Sequence, residues 1–246
     1  MTEVGFSTSG SSGAAKRIVR TEDSLQADAE MLVKQFPEFW AARPPVVATI
    51  PPDHMYGALW RVRAPAAAGS AVDAETVLSA EGLVAAAGRH GRFLLVTTPS
   101  FLEKLLDHPD APALRGALVG IVTSGSLLRE DAARAAASVL GVCPTEVFGS
   151  TETGTVAFRR RTEGEAWTLA EGVSATADAE GRLVVDSPYA MASPYAMSDA
   201  VEFVADRRFL LKGRTDRKVK ILESFVSLPE VERAFEGHPL VERARS

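Results

Sequence analysis

Three short segments concentrate residue types that can do chemistry. The first, residues 6–16, reads F-S-T-S-G-S-S-G-A-A-K. Its glycines, Gly10 and Gly13, let a backbone turn tightly and present N–H groups to a ligand. Thr8, Ser9, Ser11 and Ser12 add hydroxyls, and Lys16 adds a positive point charge. Such a set suits a polyphosphate, since each hydrogen bond to a charged oxygen contributes about 1.5–3 kcal/mol. It is not a Walker A loop, because Ala15 precedes the lysine and Arg17 follows it. On composition alone it reads as a flexible Ser/Gly linker.

The second segment, residues 147–154, reads V-F-G-S-T-E-T-G. Glu152 is a carboxylate of the kind that holds Mg²⁺, and Phe148 offers a flat face to a base. The third, residues 211–221, reads L-K-G-R-T-D-R-K-V-K-I, with Gly213 at a turn and Arg214 and Lys220 as reaching cations. Each of these, taken singly, reads as an ordinary polar turn or a charged hairpin.

The elements that must carry these segments follow from hydrophobic spacing. Thr21 caps a helix whose Leu25, Ala29, Leu32, Phe36 and Phe39 recur at three- and four-residue steps. Pro44 and Pro45 end it, and residues 46–50 read as a short buried strand. Residues 93–97 and 117–122 are strand-like, residues 99–107 and 127–140 helical, and residues 146–148 a strand end. Gly141 suits the C-terminal cap of the second of those helices. Apolar strands alternating with helices predict a parallel-rich sheet covered on both faces, an α/β fold, with ligands beyond the carboxyl ends of the strands. Past residue 150 come short strands at 167–169, 182–185, 201–204 and 209–211, which read as a small β-rich subdomain, and a helix begins near residue 229. The division expected is 1–150 for an α/β core, 151–213 for the β-rich part and 214–246 for a hinge and the stub of a further domain. A tandem repeat, SPYAMA then SPYAMS over residues 187–198, reads as a duplication within a loop.

Composition bounds the partners. The 246 residues carry 27 Lys and Arg against 32 Asp and Glu, a net charge of −5, which argues against nucleic acid. One Cys excludes an internal disulfide and a paired-cysteine zinc site. No apolar run of about 18 residues exists for a spanning helix. The polar N-terminus lacks the apolar core of a secretion signal, so a cytoplasmic protein without membrane partners is expected.

In order and spacing the segments together resemble the adenylate-forming (AMP-binding) superfamily of acyl- and aryl-CoA synthetases. The first resembles that family's phosphate loop, the second its Tyr-Gly-x-Thr-Glu motif with Phe148 for Tyr, the third its Gly-Arg-x-Asp-x-x-Val-Lys-Ile hinge. P-D-H-M-Y-G at residues 52–57 resembles the His-containing acyl-pocket motif. Ser124, Gly125 and Ser126 sit where the family has an adenine-binding turn, and Ser198-Asp199 resembles its ribose-binding Gly-Asp pair. The stretch V-S-L-P-E-V-E at residues 226–232 is similar to ligases of bacterial aryl-polyene-type clusters.

The resemblance implies attack of a carboxylate on the α-phosphorus of ATP, giving acyl-AMP and pyrophosphate, then transfer to a thiol of CoA or of a carrier protein's pantetheine arm. It assigns Thr8, Ser9, Gly10, Ser11, Ser12, Gly13 and Lys16 to the phosphates, Thr151 to the α-phosphate and Glu152 to Mg²⁺. Phe148 and the 124–126 turn fall to adenine, Gly149 and Ser150 to ATP or AMP at large, Asp199 and Arg214 to ribose, and Asp216 to the hinge. His54 is assigned to the border of the acyl pocket, although a lone His near apolar residues is more often a satisfied core residue. Cys143 reads as a small buried residue. The resemblance spans only the phosphate loop to the hinge, and no residue matches the family's C-terminal lid lysine. A partial core is therefore expected, weak alone and prone to self-association through uncovered edges. Two other readings stand beside it: a binding-only AMP or ATP pseudoenzyme or scaffold, and an unrelated NTPase.

Overall fold

The computed structural model describes residues 2–8, 16–215, 218–221, 224–236, 238, 241 and 244. Strands β1 (Glu3–Thr8) and β2 (Lys16–Thr21) form an antiparallel hairpin in which Thr8 pairs with Lys16. Helix α1 (Glu22–Gln35) follows at once. Thr21 caps it by accepting the Ser24 N–H at 3.2 Å, with Glu22 and Asp23 in the first turn, where acids favour the helix dipole. Pro37 denies Phe36 a helical conformation, so the helix breaks there and restarts as α2 (Pro37–Trp40).

Next come β3 (Val46–Ala48) and α3 (Met55–Gly57), which runs through a π-helical turn (Ala58–Arg63) into α4 (Ala64–Ala68). Gly69, at φ +67°, terminates that rod in the left-handed region. The chain continues through β4 (Val72–Thr76), α5 (Ala80–His90), β5 (Phe93–Thr97), α6 (Pro99–Leu106), β6 (Leu118–Thr123), α7 (Glu130–Val139) and β7 (Thr145–Ser150). Strands β8 (Gly154–Arg159), β9 (Trp167–Leu169), β10 (Ser174–Ala177), β11 (Arg182–Asp186), β12 (Tyr195–Ala205) and β13 (Arg208–Arg214) follow. A hairpin of β14 (Lys218–Ile221) and β15 (Ser224–Ser227) leads into α8 (Leu228–Glu236).

Eleven strands share one sheet, ordered β10-β11-β12-β13-β9-β8-β7-β6-β5-β3-β4. The pairs from β4 to β7 are parallel and those from β7 to β10 antiparallel. In the parallel half, alternate residues feed two cores. Leu94 and Val96 face the cluster under α1, α2 and the α3–α4 rod, while Phe93 and Leu95 face the cluster under α5, α6 and α7. Helices thus cover both faces, as the strand–helix alternation predicts.

Chain order reverses in this half. From β3 the chain passes to β4 on one side, then returns to β5 on the other. The carboxyl ends of β3 and β5 therefore flank a switch point, the place where open α/β sheets take ligands.

Three sequence expectations are corrected. The helix expected over 127–140 starts at Glu130, because Arg129 is extended and Leu128 is buried from a loop. The strand expected at 201–204 is the C-terminal part of the eleven-residue β12, which begins at Tyr195. Only the first copy of the tandem repeat is a loop. The second enters β12 at Tyr195, where pairing with β11 extends it.

Trp60 anchors the larger core, fully buried and 5.9 Å from the Phe36 ring and 6.4 Å from Trp40. Trp60→Ala is expected to cost about 3–5 kcal/mol of stability, read as a lower urea midpoint in equilibrium unfolding.

Candidate functional site

The strands of the parallel half deliver polar turns to one edge. Past β6, Ser124 donates through Oγ to the Val147 carbonyl at 2.8 Å, and Gly125 at φ +101° reverses the chain. Past β7 comes the loop carrying Thr151 and Glu152. Ser150 N–H donates to Thr153 Oγ1 at 3.0 Å, and Thr153 N–H returns to Ser150 Oγ at 3.2 Å, so the loop is tied across its own neck. Gly149 admits no side chain, since a Cβ would sit 2.1 Å from the Gly154 carbonyl oxygen. Phe148 is half-buried, its ring 5.5 Å from Trp167 and 6.0 Å from Phe209.

Beneath this loop lies a polar cluster absent from the sequence expectations. Arg20 on β2 is 1% exposed. Its Nη1 donates to the Thr151 carbonyl at 2.9 Å, and its Nη2 to the Tyr189 carbonyl. Asp28 on α1 is fully buried, and its Oδ2 accepts the Thr155 N–H at 3.1 Å. Gly154, at φ +69°, permits that approach, for a Cβ there would meet Asp28 Oδ2 at 2.5 Å. Burial pushes the Asp28 carboxyl up to about 6, against the pull of the Thr155 hydrogen bond and of Arg20. Burial also lowers Arg20, while Asp28 and Glu152 hold it up. One signal was available: Asp28 lies on the same helical stripe as Leu25, Ala29 and Leu32, and an acid on an apolar stripe needs a partner.

Glu152 is half-buried, and its carbonyl accepts the Met191 N–H at 2.8 Å. Met191 and Tyr189 belong to the first copy of the tandem repeat, and Tyr195 to the second. Burial, then the Glu152 charge, raise the Tyr195 hydroxyl above its ordinary range.

At the switch point, Thr49 and Thr97 hydroxyls meet at 2.8 Å. The Tyr56 hydroxyl, 2.9 Å from the Val122 carbonyl and 3.1 Å from that of Thr97, fastens the residue 52–57 motif to β5 and β6. A Cβ on Gly57 would lie 2.0 Å from the Pro51 carbonyl oxygen, so the motif's glycine is a packing requirement. His54 is exposed just before α3 and is not a core residue. It lies in the connection from β3 to α3, two residues before the Tyr56 that bonds β5 and β6.

Farther along the sheet, Asp199 and Arg214 face each other across β12 and β13, with Oδ2 and Nη1 3.3 Å apart. Asp199 is nearly buried and Arg214 half-buried. Residues Ser9, Gly10, Ser11, Ser12, Gly13 and Asp216 lie outside the described residues. Thr8, Lys16 and Lys220 are described in their backbones: the first two close the β1–β2 hairpin, and Lys220 pairs with Phe225. Among the described residues no three His, Cys, Asp or Glu side chains gather as a metal cluster, and no helix is long and apolar enough to cross a membrane.

Residues 6–188 match the family described as AMP-binding enzyme. Two curated relatives are 4-coumarate–CoA ligases. That of Cereibacter sphaeroides is 29% identical over 97% of this chain and 55% of its own length, and that of Rhodobacter capsulatus 28% over 96% and 58%. The chain thus spans a little over half the length of the curated relatives it matches. Among solved structures, ATP-bound MatB from Rhodopseudomonas palustris superposes with a TM-score of 0.73 at 19% identity, covering 96% of this chain and 52% of that one.

The buried carboxyl has a pH signature. Folded Asp28 holds its proton up to about 6, whereas unfolded Asp releases it near 3.8. Its contribution is level below the unfolded value and turns unfavourable as pH rises from there to the folded value. Asp28→Asn keeps an acceptor for Thr155 and removes this titration. The variant's stability relative to the wild type is expected to rise between pH 4 and 6 by up to roughly 3 kcal/mol, at 1.36 kcal/mol per pKa unit. Urea unfolding at several pH values measures it.

Proposed function

The chain belongs to the AMP-binding enzyme family, and on that footing we propose that it is the nucleotide- and acid-binding core of an AMP-forming acid–thiol ligase. A carboxylate oxygen attacks the α-phosphorus of ATP, the bond to the bridging oxygen breaks, and pyrophosphate leaves. The thiol of CoA or of a carrier's pantetheine then attacks the acyl carbon, its proton passes to solvent, and AMP leaves. The observation that carries this reading is the Arg20–Thr151 hydrogen bond. It joins the hairpin bearing the Ser/Gly segment to the loop bearing Glu152, two segments 131 residues apart.

Two anions must meet in the first step, so catalysis is chiefly charge neutralisation and alignment. Lys16 and the hydroxyls and N–H groups of residues 8–13 would hold the β- and γ-phosphates, and Thr151 the α-phosphate. The 124–126 turn and Phe148 would enclose adenine. The Asp199–Arg214 pair supplies an acceptor and a donor side by side, which suits ribose hydroxyls. His54 would border the acid, and Asp216 would serve as the hinge.

Glu152, a half-buried carboxylate on this loop, fits Mg²⁺, an ion held by one or two carboxylates together with phosphate and water oxygens. Bound there, Mg²⁺ would neutralise charge on the phosphate oxygens. The two 4-coumarate–CoA ligase relatives support an aromatic acid as substrate, in keeping with the aryl-polyene likeness of residues 226–232.

The test is ATP–pyrophosphate exchange with a panel of aromatic and aliphatic acids. Exchange is expected only with an acid present, strongest with aryl acids, and reduced at least about a hundredfold in Lys16→Ala and Glu152→Gln, the scale of losing one transition-state charge contact. ATP binding without exchange for any acid would replace this reading with a binding-only one.

A further inference from the structure

Glu152 can serve a cation or phosphate only if its backbone is held still, because a carboxylate on a mobile loop loses aim by more than a hydrogen bond tolerates. The structure clamps the peptide on each side of it from outside the loop. The carbonyl preceding Glu152, that of Thr151, accepts Arg20 Nη1 at 2.9 Å, and its own carbonyl accepts Met191 N–H at 2.8 Å. The second clamp is tied to the first, since Arg20 Nη2 also bonds the Tyr189 carbonyl, two residues before Met191. One guanidinium therefore links β2, the Glu152 loop and the first SPYAM copy.

We propose that Arg20, backed by Asp28, is a positioning residue for Glu152, and that the first copy of the tandem repeat is the loop's outer clamp. This rests on the reading of Glu152 as the Mg²⁺-facing carboxylate. The assignment gives work to two features the motifs leave idle: a buried cation outside every family-like segment, and a hexapeptide duplication. Asp28 answers the Arg20 charge from below and fastens the far side of the turn at Thr155 N–H. Arg20 can thus hold backbone carbonyls while Asp28, and not Glu152 alone, balances it.

The duplication divides the labour. Its first copy offers backbone groups, the Tyr189 carbonyl and the Met191 N–H, and its second joins the sheet, with Tyr195 paired to Val185 of β11. Tyr189 is itself held, its hydroxyl donating to the Glu171 carbonyl at 2.8 Å, so the outer clamp has a fixed base.

The experiment uses the full chain with Arg20→Met, which keeps length and loses every donor, and Arg20→Lys, which keeps charge and can serve fewer of the acceptors. Amide hydrogen exchange is followed by mass spectrometry over residues 150–155, with β5 and β6 as internal references. ATP binding is measured by calorimetry with Mg²⁺ and with chelator.

In Arg20→Met, exchange over 150–155 should rise at least about tenfold while β5 and β6 stay unchanged, the scale of one lost charged hydrogen bond. The Mg²⁺-dependent gain in ATP affinity should fall by about the same factor, with chelated ATP affinity little changed. Arg20→Lys should lie between wild type and Arg20→Met in both readings. Unchanged exchange at 150–155 in both variants overturns the proposal. So does equal acceleration in β5 and β6, or an equal loss of ATP affinity with and without Mg²⁺, which would mark a merely structural arginine. If the wild type itself gains nothing from Mg²⁺, the metal reading of Glu152 fails, and the exchange data alone decide whether Arg20 positions the loop.

Discussion

A guanidinium taken out of water must find acceptors and a counter-charge, or the fold around it gives way. Arg20 meets that demand with main-chain carbonyls from two distant segments and a carboxylate from the next helix. Because its acceptors are backbone atoms, the need to satisfy one side chain becomes a constraint on the course of the chain at residues 151 and 189. Breaking such a cluster from one side would strand the other, so β2, α1 and the Glu152 loop are energetically one unit. That unit joins the hairpin carrying the Ser/Gly segment to the edge of the sheet where the remaining polar turns collect.

The sheet supplies that edge through its connectivity. Parallel strands β3, β5, β6 and β7 all end on one side, so every loop leaving them must carry polar groups to the same rim. Reversal of chain order between β3 and β5 opens the crevice there, and Tyr56 spans the next gap by reaching the carbonyls of Thr97 and Val122. Beyond β7 the strands turn antiparallel, and hydrogen bonding runs on without a gap to β12 and β13, which bear Asp199 and Arg214. One continuous ladder therefore spaces the acid-side, phosphate-side and ribose-side candidates.

Local features of this arrangement were legible in the sequence and distant ones were not. The Thr21 cap, the Leu25-Ala29-Leu32 stripe, β5 and the Pro99 start of α6 depend on neighbours within a few residues, and they fall where spacing puts them. The order of the family-like segments was equally readable. The Arg20 contacts were not, since they span 131 and 169 residues and no periodicity encodes them. Strand β4 escaped because its Asp and Glu break the apolar alternation: Asp73 is buried by pairing with Arg89 and His90, a tertiary solution to a polar residue. The tandem repeat shows the same limit most directly. Nearly identical hexapeptides take a loop and a strand end, so pairing with β11, not intrinsic preference, decides the conformation.

The two sides of the site are held by different physical means, and this bears on how each could change. On the acid side, Gly57 sits against the Pro51 carbonyl, and the buried Arg61 donates to the Ile50 carbonyl at 2.8 Å and to the Ala74 carbonyl at 2.8 Å. These contacts fix the main chain on either side of the exposed His54. On the phosphate side, Glu152 sits between two clamped peptides, with Gly149 and Gly154 excluding any side chain at the neck. No neighbouring position there can shift without moving the carboxylate. Under the proposed function, the phosphate-side candidate Glu152 is thus pinned through backbone contacts, while the acid-side candidate His54 is exposed at the surface just before α3.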